Sequence, residues 1–67
     1  MCLDANAITK GGYYDLASIQ NIPNSPENFG VLIMIDSRYL TQIVIGINAK
    51  LFIRINANDS WTNWREI

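Results

Sequence analysis

Three runs dense in isoleucine and valine, Val31–Ile35, Tyr39–Ile47 and Leu51–Ile55, follow one another across short polar connections, Asp36-Ser37-Arg38 and Asn48-Ala49-Lys50. β-Branched side chains are stiff in helices and suit a pleated surface. The polar positions 36, 37, 38, 41 and 42 do not gather on one face of a 3.6-residue period. Apolar runs joined this tightly predict antiparallel hairpins. Lys10-Gly11-Gly12 is a turn signal, and Tyr13–Ala17 after it reads as a further strand pairing at an edge. Asn56–Ser60 is another polar turn, and Trp61–Ile67 reads as a last short strand. The segment from Gln20 to Gly30, with Pro23 and Pro26, is the one long loop. One helical turn is expected near Ser25–Asn28, with Ser25 as cap and Pro26 at the first position. Asp4 or Asn6 is a candidate cap for another. The expected fold class is mainly β: a small antiparallel sheet of about four to five short strands with a short helical turn, forming a single domain over residues 1–67.

A chain of 67 residues lies near the lower limit for independent folding. The apolar burial available to it and the cost of ordering it are of similar size. Cys2 is the single cysteine, so no internal disulfide forms, and there is no histidine to build a zinc cluster. Self-association is the remaining aid. The alternation points the same way, because both faces of the strands are apolar. Val31, Ile33 and Ile35 share a face with Ile43, Ile45 and Ile47 in the pattern, while Leu32, Met34, Leu40 and Val44 take the other. The Ile-rich set is expected to form the intrachain core. Leu32, Met34, Leu40 and Val44 are the expected contact with another copy.

Little in the sequence points to catalysis. The six carboxylates, Asp4, Asp15, Glu27, Asp36, Asp59 and Glu66, lie singly in turns or at strand ends. No serine or cysteine has a histidine to activate it. Asn56, Asn58 and Asp59 do not match a calcium-loop spacing, so turn chemistry accounts for them and no metal or other cofactor is expected. Charged residues make up 16% of the chain and the net charge is −1, too little positive charge to neutralise nucleic-acid phosphates. The longest apolar run, Val31–Ile35, is far short of the roughly 20 residues a membrane helix needs. Asp4 and Asn6 interrupt the opening stretch, so no signal peptide is expected. The candidates for ligand binding are Tyr13, Tyr14, Trp61 and Trp64, whose rings either stack on sugars or fill the small core. Core filling is the favoured reading. Trp61 and Trp64 are three apart, so an uninterrupted strand points them to opposite faces.

Read in order, these features resemble the knob domain of phage tail fibres and of the R-type pyocin fibre. The resemblance rests on the lead Asp4, Asn6 and Ile8, the Gly12-Tyr13-Tyr14 step, and a loop with Asn24 and Pro26 running to Gly30. Thr41-Gln42-Ile43, Phe52-x-Arg54 and the closing Trp61-x-x-Trp64-Arg65 complete it. It covers nearly the whole chain. The family often has a glycine just before the first tryptophan, where this chain has Asp59-Ser60. The resemblance implies a non-enzymatic structural or adhesive module of a longer fibre protein on a virion or tail-like particle. It implies a homotrimer, adjoining fibre domains as neighbours, and a bacterial surface glycan as a candidate receptor. The alternatives are a monomeric carbohydrate-binding module and an accessory domain of a cell-wall hydrolase.

Overall fold

The computed structural model describes residues 4–67; Cys2 lies outside them. Six antiparallel strands form one sheet: β1 (Gly12–Ala17), β2 (Phe29–Ile35), β3 (Leu40–Gly46), β4 (Leu51–Ala57), β5 (Ser60–Trp61) and β6 (Arg65–Glu66). The first four lie in chain order, and both β5 and β6 pair with the far side of β4. The hairpin reading of residues 31–55 is thus the observed one, with β2 beginning two residues earlier than the apolar run. Register aligns Tyr13, Ile33, Ile43 and Ile53 in one row across the sheet, and Tyr14, Leu32, Val44 and Phe52 in the next.

The turns follow from local chemistry. Asn58 and Asp59 both adopt positive φ, 58° and 63°, between the paired Ala57 and Ser60. Two left-handed residues in a two-residue loop match the twist of a β-hairpin, and short polar side chains tolerate that conformation best. Pro23 and Asn24 (φ 61°) make a second tight turn, closed by the Ser25 amide donating to the Ile22 carbonyl at 3.2 Å. Asp4 caps a single 3-10 turn at Ala5–Ala7, its Oδ1 accepting the Asn6 amide at 2.9 Å. The helical turn expected at Ser25–Asn28 does not form. The Ser25 hydroxyl instead donates to the Glu27 carbonyl at 2.7 Å, a local bond that competes with helix.

One face of the sheet is covered, and it is the opposite one from that expected. Leu32, Met34 and Val44, expected to contact another copy, are 0%, 3% and 0% exposed and form the core of the chain itself. Ala5, Ile8, Leu16 and Ile22 complete that core, and Leu40, half-buried, packs against it. The cover consists of the N-terminal turn and the loop around Ile22, tied together by Ala5 N–H donating to the Pro23 carbonyl at 3.0 Å. The Ile-rich face is left outside.

Two glycines separate backbone freedom from space. Gly30 has φ 141°, and a Cβ there would stand 2.0 Å from the Ile45 carbonyl oxygen on the neighbouring strand. Gly12 has a similar φ, 146°, with nothing within 4 Å of the same position. Gly12→Ala is expected to cost only the backbone strain, about 1–2 kcal/mol. Gly30→Ala must in addition push β2 and β3 apart, and is expected to cost about 3 kcal/mol or more. Urea unfolding of the two variants measures the difference; equal losses would contradict the close approach.

Candidate functional site

The aromatic residues at the end of the chain converge on Arg54. β4 directs this side chain to the covered face, where it is 5% exposed. Its Nε donates to the Gln42 Oε1 at 2.8 Å, and its terminal nitrogen donates to the Asn6 Oδ1 at 2.7 Å. Gln42, fully buried, in turn donates from Nε2 to the Ala5 carbonyl at 2.7 Å. The rings of Trp61 and Trp64 lie over the guanidinium, their centroids 4.2 and 4.6 Å from its carbon. A buried arginine without a carboxylate partner is costly unless its donors and faces are occupied. Here two of its N–H groups have amide oxygens as acceptors and two indole rings pack on the guanidinium.

Both tryptophans reach the same side of the sheet because the last strand is interrupted. Pairing runs Asn56 with Trp61, then Ile53 with Arg65, so the register shifts by one residue between β5 and β6. The extra residue is a bulge. Thr62 bridges it, its Oγ1 accepting the Ile55 amide at 3.0 Å while its own amide donates to the Ile55 carbonyl at 2.9 Å. The expectation that Trp61 and Trp64 point to opposite faces is therefore corrected. Trp64 also donates from Nε1 to the Asn24 carbonyl at 2.7 Å, fastening the C-terminal segment to the covering loop. Both rings are half-buried and serve packing.

The other two aromatic candidates part company. Tyr14 packs against the core, with its hydroxyl donating to the Lys10 carbonyl at 2.6 Å. Tyr13 lies on the opposite face and is 81% exposed. The structure does not bring the four candidates together into one ligand platform.

The uncovered face is the second feature. Across β2, β3 and β4 it presents Phe29, Val31, Ile33, Ile35, Ile43, Ile45, Leu51, Ile53 and Ile55, with Thr41 the one polar side chain in these rows. Ile35 is 43% exposed and Ile55 38%. Among the described residues, charge appears only at its margins: Asp15 on β1, in register with Val31, and Arg65 on β6, in register with Ile53. Among the described residues no three His, Cys, Asp or Glu side chains gather to hold a metal ion, and no helix is long and apolar enough to cross a membrane. Comparison with protein-family models, with curated proteins and with solved structures found no match.

Asp4 closes the cluster electrostatically. The amide of the Asn24 side chain donates to its Oδ1 at 2.9 Å. This bond, then the Asn6 amide, and more weakly the charge of Arg54, hold its carboxyl below the ordinary value of 3.8. Burial lowers Arg54 from its usual value, opposed by Asp4. A depressed carboxylate stabilises the fold above its unfolded-state pKa, and that contribution disappears as pH falls through the folded value. NMR titration should place the Asp4 midpoint below 3.8, and Asp4→Asn should flatten the loss of stability in that acid range. An Asp4 midpoint at or above that value would contradict the capping role.

The arginine cluster makes a separate prediction. Arg54→Met leaves the Gln42 and Asn6 oxygens without their donor and is expected to cost about 3 kcal/mol. Combining it with Gln42→Met removes one stranded acceptor together with its donor. Urea unfolding of the two singles and the double should reveal a coupling above about 1 kcal/mol. Simple additivity would mean that the pair is not a unit.

Proposed function

We propose that this chain is a non-enzymatic structural or adhesive module of a phage or phage-tail-like fibre, assembling as a homotrimer within a longer fibre protein. The observation that carries the assembly reading is the open Ile-rich face. A surface of this size with charge only at its margins is characteristic of a contact between proteins. The small core adds to it: one face of the sheet is covered by the chain's own loops, and association buries the other without ordering many more residues. The fibre context and the number three come from the resemblance to tail-fibre and R-type pyocin knobs. Trp61 and Trp64, spent on Arg54 and the core, favour a packing role for the most conspicuous aromatics over a sugar-binding one. In this reading any host-surface recognition, including contact with a bacterial surface glycan, belongs to the assembled fibre with its adjoining domains.

Sedimentation equilibrium of the 67-residue chain over a concentration series tests it. The expected result is a trimer at micromolar concentration. A folded monomer at high micromolar concentration that binds glycan would overturn the reading in favour of a monomeric carbohydrate-binding module.

A further inference from the structure

The open face has a polarity across the strands. Its β1 margin carries Asp15 and its β6 margin carries Arg65, with uncharged residues between them. Both charged residues are exposed. Their rows are neighbours on this face, two residues apart along the strands, so the two side chains differ in height by roughly 6–7 Å. That is within reach of an arginine.

We propose that the open face is where three copies of this chain meet, with the sheets forming a prism around an axis parallel to the strands, Ile faces inward, and Asp15 of each copy across a seam from Arg65 of the next. The proposal rests on the self-assembly reading above and adds to it the surface, the orientation and the pairing.

Orientation follows from charge. Rotation about an axis parallel to the strands preserves height, so it brings the β1 margin of one copy to the β6 margin of its neighbour. Acid then meets base at nearly matched heights. Stacking two faces about an axis across the strands sets the β1 margins over one another, bringing Asp15 close to Asp15. Like charges at a contact oppose that arrangement.

Width favours three copies. Four spacings of about 4.8 Å separate β1 from β6, so the face is roughly 20 Å wide between its margins. Three faces of that width around a threefold axis place each sheet's midline about 6 Å from the axis, close to half of the roughly 10 Å that separates packed sheets. Ile43, on the central strand β3 and in one row with Ile33 and Ile53, then occupies the middle of the prism. Seven residues at about 3.3 Å each give a face of roughly 450 Å² in plan per copy, buried equally in a two-copy stack and in the prism, so the difference lies in the seams along the two margins. Three copies bury all three faces and add the seams.

The experiment uses the full chain and sedimentation equilibrium, with far-UV circular dichroism on every variant. Asp15→Arg and Arg65→Asp should each weaken the trimer at least tenfold in association constant. The double variant D15R/R65D should recover to within about threefold of the parent. Both positions are exposed, so the monomer fold is retained. Ile43→Glu, in the middle of the face, should give a folded monomer with the parent's strand signature. If it unfolds instead, the charge-exchange set decides. A trimer indifferent to the reversals, or weakened without rescue in the double variant, overturns the prism but leaves trimer assembly standing. A dimer overturns the threefold arrangement. A monomer throughout the series overturns the prism, and one that also binds glycan overturns the assembly reading as well.

Discussion

The hydrogen bonds joining Arg54, Gln42 and the N-terminal turn decide which side of the sheet becomes the inside. A polar side chain in a β-strand ordinarily marks the solvent face. Gln42 and Arg54 stand on the same face as Leu32, Met34 and Val44, yet both are buried. What reverses the expectation is mutual satisfaction. Gln42 accepts from Arg54 and donates to the Ala5 carbonyl, while Arg54 donates also to Asn6. The two strand residues thereby supply the donors and acceptors that the backbone and side chains of the covering segment require. An all-apolar face would offer that segment no such register.

The same cluster fixes the turn at Ala5–Ala7 to the segment carrying β5 and β6. Trp61 and Trp64 lie over the guanidinium, and Trp64 reaches the loop at Asn24, which itself holds Asp4. A short sheet has few elements with which to close its core. Using the first and last segments as a shared lid around one charged group gains contacts without lengthening the chain. The cation is shielded by rings whose electron-rich faces attract it, so burial is compensated at a point where no carboxylate is in contact.

Covering one face leaves the other. Among the described residues the chain between β1 and β2 is the only long connection between strands, and it is committed to the Leu32, Met34 and Val44 side through Ile22. The Ile-rich side keeps its regular β-branched pattern, which packs well against a flat apolar partner. The inner face holds the chain together, and the outer face, uncharged except at its two margins, is the surface the proposed assembly uses.

The strands themselves were legible from the residues, because β-branched density and short polar connections act locally and do not depend on what covers the sheet. A polar turn at Asn56–Ser60 and a cap at Asp4 or Asn6 were readable for the same reason, being short-range features, although β4 runs on to Ala57 and narrows the turn to Asn58-Asp59. The choice of inner face was not legible. Alternation tells which residues lie together and leaves open which set is covered, and that choice was settled by long-range bonds from Gln42 and Arg54 to Ala5 and Asn6. The placement of Trp61 and Trp64 on one side was equally hidden, because a single-residue bulge at Thr62–Trp64 shifts the strand by one and period-two reasoning assumes an unbroken ladder. Local propensity and pattern determined the strands and their order; only the tertiary contacts of a buried polar pair, and one extra residue in the last strand, decided which face is core and where the aromatic side chains meet.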